Sequence, residues 1–429
     1  MKISRKIWVP LVLVVVVTSI GYSYWGESSA TEYKTKYEAD NVQTRFNMEI
    51  FDKITENYWQ KVSEPDLANL YQLAFAKAAS SSPIDLTVAT REGVAEMLSQ
   101  GFSGVAEEKH NELAVNTGII VLANLAPQGR SGLLSQAQET AFRDDVNNIN
   151  RDNNLYKNLN LEDGADIASV NKAYEERSRE LLASTTPEAK EELALVERAH
   201  EVLANEGSKV IYDQTKSEPT LSSEKLSGGS LYLDLTKISN TTLQEVANAL
   251  SAYGTTTAPT GLIIDVRSNV GGALDFARYF MSMFFGPNQY VYDYFHQGDL
   301  EPERTPNFAK VEVVSKIQDI AILTDEQSQS TSELLSAIFK RFNLGKTIGT
   351  QTKGWGTVEN TFPLETDLGD GNKYSVLLVH SLTLRDDGEP IEGRGIDPDI
   401  NIENANWRAQ VNQTFSSKFA SDLIRVLSR

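Results

Sequence analysis

Apolar residues recur with different periods in different parts of this chain. Phe46, Ile50, Phe51, Ile54, Tyr58 and Trp59 repeat at three- and four-residue steps, the spacing of one buried helix face. The next hundred residues read as further helices, interrupted at "AFAKAASSS" and at "NTGIIVLANLAPQGRSG", where a short apolar run has the length of a strand. Two long amphipathic helices follow in "IASVNKAYEERSRELLA" and "PEAKEELALVERAHEVLANEG", with Pro187 suited to a first turn and Gly207 to a stop. From Ser230 the texture changes. "SLYLDL", "GLIIDV" and "IAILT" read as buried strands, with "TLQEVANALSAYG", "ALDFARYFMSMFF" and "SELLSAIFKRF" as helices following them. That alternation predicts an α/β core, a parallel or mixed sheet covered by helices, with function at the loops that follow strand ends.

The amino terminus has its own pattern. Lys2, Arg5 and Lys6 precede the uncharged run Ile7 to Trp25, close to the roughly 20 residues a membrane helix needs. Tyr22, Tyr24 and Trp25 suit the interface, and the positive residues before the span place the bulk of the chain outside the cytoplasm. The expectation is a single-pass signal-anchor over 7–25, with residues 1–6 cytoplasmic and 26–40 a tether. The rival is a cleaved signal peptide ending at Ala30.

Composition narrows the function classes. The chain has 429 residues, 40% of them apolar, enough for two or three domains with cores of their own. Its 40 basic and 59 acidic residues leave a net charge of -19, with no basic run beyond the first six residues, which argues against nucleic acid as a partner. There is no cysteine, so disulfides, thiolate metal sites and a cysteine nucleophile are excluded. No metal cluster or phosphate-binding loop stands out, and no cofactor is expected.

Two turns carry candidate chemistry. In "GLIIDVRSNVGGALD" a strand ends and Gly271 and Gly272 allow close backbone approach before a helix. In "AILTDEQSQSTSELLSA" the serines 328, 330 and 332 lie between strand end and helix start, where backbone amides point outward. Helix capping by Ser332, with Glu333 next to it, is the structural alternative.

Together with "SLYLDLTKISNTTLQEVANAL" before them and "YSVLLVHSLTLRDDGEPIEGRGIDPDI" after them, these turns resemble the core of the C-terminal processing peptidases, the tail-specific serine peptidases of the Ser-Lys type. The likeness covers about Ser230 to Ile402, and "FDKITENYWQKV" is similar to that family's entry helix. The resemblance implies a ClpP/crotonase-like core. It matches a strand ending in Asp-x-Arg-x-Asn-x-Gly-Gly to Asp265, Arg267, Asn269, Gly271 and Gly272. It also matches a Ser-Ala-Ser-Ala-Ser-Glu turn to Ser328, Gln329, Ser330, Thr331, Ser332 and Glu333. By it Ser330 is the nucleophile, and the Thr331 amide with that of Gly271 or Gly272 forms the oxyanion hole.

A serine needs a neighbour that takes its proton, and a lysine does so only when burial lowers its pKa from about 10.4. The family's lysine sits in Thr-x-Gly-Lys-Gly, with an orienting glutamine four residues on. Here an ungapped match through "GTQTKGWGTVEN" puts Trp355 at the lysine position and Glu359 at the glutamine position, and indole is no base. Lys353 is a possible displaced base: residues two apart in an extended chain project to one side, and its reach spans the shift of roughly 7 Å. Glu359 and His380 are further candidates. Two readings follow: a membrane-anchored serine endopeptidase acting on envelope proteins or peptides, or a pseudo-peptidase that binds peptides or serves as a scaffold.

The interval that holds a PDZ domain in that family differs here. "LYKNLNLEDGADIASVNKAYEE" and "ERAHEVLANEGSKVIYDQ" resemble the opening and closing patterns of a J-domain. Leu182, Ala183 and Ser184 stand where the His-Pro-Asp tripeptide would be, which argues against a DnaK-type chaperone as partner. The expected organisation is a helical region over 41–150, the J-like unit over 151–216, a linker over 217–229 and the peptidase-like core over 230–429.

Overall fold

The computed structural model describes residues 35–183, 186–253 and 258–429. The anchor expected over 7–25 and Ser184 lie outside them. No described helix is long and apolar enough to cross a membrane.

Five helices open the described chain: α1 (Lys36–Asp40), α2 (Val42–Asn57), α3 (Glu64–Ala79), α4 (Arg91–Ser103) and α5 (His110–Ala123). Asn41, Ser63 and Thr90 start α2, α3 and α4 with side-chain oxygens that accept the amides of Thr44, Asp66 and Gly93, satisfying donors a helix end leaves open. The apolar run with strand length is the second half of α5, where Thr117, Gly118, Val121 and Leu122 are buried at helical spacing. Tertiary packing, not run length, decides it. Likewise "AFAKAA" completes α3, which stops at Ser80 in the left-handed region. Strand β1 (Gly132–Ser135) and helix α6 (Gln136–Val146) follow.

The interval expected to be J-like holds α7 (Leu155–Asn158), α8 (Ile167–Leu182), α9 (Pro187–Leu203) and α10 (Glu206–Thr215). Leu155, Tyr156, Val170, Val196, Ala199, Leu203 and Tyr212 give it a core of its own. The Tyr212 hydroxyl accepts the Leu155 amide at 3.0 Å, tying its last helix to its first. Pro187 sits in the first turn of α9 as expected. Gly207 does not stop that helix: α9 ends at Leu203, and Asn205 caps α10, which contains Gly207.

The core holds β2 (Leu221–Lys225), β3 (Leu231–Leu235), α11 (Thr242–Tyr253), β4 (Gly261–Asp265), α12 (Asp275–Phe285), β5 (Tyr290–His296), β6 (Asp299–Arg304), β7 (Asp319–Thr324), α13 (Thr331–Arg341) and β8 (Lys346–Gly349). It continues with β9 (Thr357–Pro363), β10 (Tyr374–Thr383), β11 (Ile400–Asn401), α14 (Trp407–Thr414) and α15 (Ser417–Leu427). One sheet runs β11-β8-β7-β4-β3-β2, parallel except for β2. Its central strands are buried on both faces. Leu262, Ile264, Ile320 and Ile322 pack toward α11, α12 and α13, while Ile263, Ala321 and Leu323 pack toward α14 and α15, the alternation a two-sided strand requires.

A second, antiparallel sheet orders β1-β10-β5-β6, with β9 also on β10. The sequence pattern did not announce it. Val376, Leu378, Val379 and Leu382 of β10 share one core with Phe46, Ile50, Phe51 and Leu122 of the N-terminal helices, and β1 pairs with β10 from Gly132↔Leu377 to Ser135↔Tyr374.

Candidate active site

Strands β4 and β7 are parallel neighbours, with Asp265 opposite Leu323, so the loops after them emerge side by side. Polar side chains stitch the loops together. Asn269 donates to the Leu235 carbonyl at 2.5 Å and accepts the Gly271 amide at 2.7 Å, and the Gln329 amide donates to the Asn269 carbonyl at 3.0 Å. Ser328 donates to the Val266 carbonyl at 2.7 Å. Burial alone would raise the Asp325 carboxyl, but hydrogen bonds from Ser268, Gln327 and Ser328 hold it below the ordinary range. Asp265 is bound by Arg267 and by the Tyr232 hydroxyl. Much of the motif is thus scaffold for the turn.

Ser330 sits at the apex, half-buried, with φ 57° and ψ -122°, a conformation non-glycine residues avoid. Gly271 meets it directly: a Cβ on Gly271, whose φ is +85°, would lie 2.7 Å from the Ser330 Cβ. The two corners meet only because position 271 has no side chain. Thr331 donates from Oγ1 to the Gly272 carbonyl at 3.0 Å. Among the described residues the amides of Gly272 and Thr331 have no acceptor, whereas the Gly271 amide is spent on Asn269. The available amide pair is Gly272 with Thr331.

Ser330, not Ser332, is the residue before the first turn of α13. The Ser332 hydroxyl is buried without a partner among the described residues. Glu333, fully buried, accepts the amides of Ser330 (2.9 Å), Gly354 (2.7 Å) and Trp355 (2.7 Å) and the Thr352 hydroxyl (2.5 Å). Burial pushes its carboxyl up, against those four hydrogen bonds. Because one carboxylate oxygen takes the amides of both Ser330 and Trp355, residue 355 lies beside the serine turn without any slip of register.

Around Trp355 the side chains form a cluster of their own. The Arg130 guanidinium lies 3.2 Å from the centre of the Trp355 ring; it donates to the Thr357 hydroxyl and to Glu392, each at 3.0 Å. Glu392 also accepts the Gly356 amide at 2.9 Å. The Glu359 carboxyl is pushed up by burial and lowered in part by hydrogen bonds from Thr357 and the Trp355 indole and by the Arg130 charge. Arg130 and Glu392 were missed in the sequence: the Arg130–Thr357 contact joins positions 227 apart, and no local pattern announces it.

Lys353 is exposed. Its backbone amide donates to the Ser328 carbonyl at 3.0 Å, and its ammonium makes no hydrogen bond or ion pair with the described residues. The same-side projection of residues 353 and 355 needs an extended chain, and Gly354 between them has φ +82°. His380 stacks on His296 at 4.3 Å and bonds Ser381 at 2.7 Å; burial and the facing imidazole push its pKa down to about 4. It makes no hydrogen bond to Ser330.

Comparison with known proteins bears on the residues that hold these turns. Residues 229–402 match the model of Peptidase family S41. A protein named "Probable CtpA-like serine protease" from Staphylococcus aureus (strain COL) is 32% identical over 148 residues, 34% of this chain and 28% of that protein. Its namesake in Staphylococcus epidermidis (strain ATCC 12228 / FDA PCI 1200) is 30% identical over the same shares. The match thus spans under a third of the length of these relatives. Among solved structures, a lipoprotein from Streptococcus agalactiae aligns with TM-score 0.43 at 14% identity, covering 87% of this chain and 96% of its own. The photosystem II D1 C-terminal processing protease aligns with TM-score 0.47 at 13% identity, covering 84% and 93%. Residues 229–402 of this chain are thus similar to peptidase family S41.

Proposed function

We propose that the chain is a peptidase-fold protein that holds extended polypeptide at the Ser330 corner without the Ser-Lys turnover of its family. The observation that supports this reading is the shared oxygen of Glu333, which bonds the amides of Ser330 and Trp355 at 2.9 and 2.7 Å and so brings residue 355, a tryptophan where the resemblance expects a lysine, beside the serine turn. The amides of Gly272 and Thr331 remain available to a peptide carbonyl, and main-chain pairing supplies affinity without chemistry. In this reading the segment 7–25 tethers the protein to the cell membrane with its bulk outside the cytoplasm, where envelope polypeptides are the ligands.

A second reading has one observation in its favour. The Glu359 carboxyl is raised by burial, which moves an acid toward the range of a general base. Its oxygens are already bonded by Thr357 and the Trp355 indole, so the binding role is preferred.

The test is labelling by a serine-directed phosphonate and cleavage of a denatured protein between pH 6 and 10, wild type against Ser330→Ala. Loss of a general base costs on the order of 10⁴–10⁶ in rate, so wild type and variant are expected to be equally inert while wild type binds an extended peptide. Cleavage that Ser330→Ala abolishes would overturn the proposal.

A further inference from the structure

We propose that Glu333 is the positioning residue of this site: its carboxylate, an acceptor-only group, locks the loop 352–355 to the Ser330 turn, and that joint opens when an amide replaces it. The inference deepens the reading of the Ser330 corner as the ligand site and rests on it.

The argument is one of donors and acceptors. A glutamate in the first turn ordinarily reaches back to its own helix cap, and Oε2 of Glu333 does this with the Ser330 amide. The other three bonds leave the helix, to residues 19 to 22 positions further on. The Gly354 and Trp355 amides have no strand partner, and buried amides without acceptors are costly. An ionised carboxylate is acceptor-only, with about four lone-pair sites, and it faces four donors and no acceptor. A glutamine turns a hydrogen toward that set. Glu333 is fully buried, and among the described residues no cation pairs with it.

The charged groups on the surrounding elements are engaged elsewhere. Asp265 pairs with Arg267, Asp325 bonds Ser268, Arg130 pairs with Glu392, Arg394 with Glu389, Glu359 bonds Thr357, and Lys353 is exposed. The four hydrogen bonds alone hold the charge.

The experiment is hydrogen exchange by mass spectrometry on the full chain at pH 7, wild type against Glu333→Gln, read in peptides covering 328–334 and 352–357. In wild type these amides are protected. In Glu333→Gln they exchange at least 10-fold faster, while β4 and β7 keep their protection. Two outcomes overturn the proposal: Glu333→Gln protected like wild type, or equal loss of protection in β4 and β7. The readout uses no ligand, so it stands apart from whether the corner binds polypeptide.

Discussion

Arg130 lies face to face with Trp355, its guanidinium 3.2 Å from the ring centre. A residue from the loop after the N-terminal helices thereby covers the indole of Trp355. That loop is anchored in turn, since the Tyr58 hydroxyl and the Trp59 indole both donate to the Ala126 carbonyl.

Removing the guanidinium should be felt in stability. Arg130→Ala loses a stacked cation, an ion pair with Glu392 and a hydrogen bond to Thr357, together about 1–3 kcal/mol. The urea midpoint is expected to fall with an unchanged slope. Arg130→Lys should not restore it, because a point charge cannot reproduce the planar stack.

Rebuilding the family's pair tests the silent-site reading from the other side. Trp355→Lys with Glu359→Gln should give phosphonate labelling of Ser330 at least 10-fold above wild type, a small part of the 10⁴–10⁶ or so that a general base supplies. Adding Ser330→Ala should abolish it. Labelling of the double variant that survives Ser330→Ala would refute the expectation.

Ser330 holds a disfavoured backbone conformation, φ 57° and ψ -122°. Ser330→Gly relieves about 1–3 kcal/mol of strain and costs about 0.5–1 kcal/mol in chain entropy. A net gain of about 1 kcal/mol is expected in chemical denaturation. A loss would mean the turn is not strained.

The His380 ring, with a pKa pushed down to about 4 by burial and by His296, resists protonation when folded. The unfolded chain takes up the proton near the ordinary 6.5, so the native state loses stability as pH falls from 6.5 to about 4, by at most about 1.4 kcal/mol per pH unit. The raised carboxyls of Glu333 and Glu359 act oppositely, adding stability on acidification. The difference between wild type and His380→Asn should therefore shrink steadily across that window, and a constant difference would contradict the assignment.

The sequence carried the parallel core well because its strands are apolar on both faces, and "GLIIDV" and "IAILT" have no competing period. It also brought Ser330 to the Gly271 corner, since both turns follow adjacent strands. The antiparallel sheet was hidden: β10 is formed by "YSVLLVHSLT", whose partners β1 and β5 lie far from it in sequence. Arg130 was hidden for the same reason. The run in α5 was ambiguous because the seven apolar and small residues from Thr117 to Ala123 fit either period, and only contact with Ile50 and Leu133 fixes it. Lys353 looked able to reach Ser330 because an extended chain was assumed where Gly354 turns it.

The pairing of β1 with β10 has a practical corollary. A fragment trimmed to residues 229–402 would keep the serine turn yet strip β10 of a neighbour, bare the apolar side that Phe46 and Ile50 cover, and remove Arg130 from above the indole. Sequence kinship marks where ancestry is recognisable; the material boundary of the fold runs back at least to the first helices, and whatever displaces them would reach the Ser330 corner too.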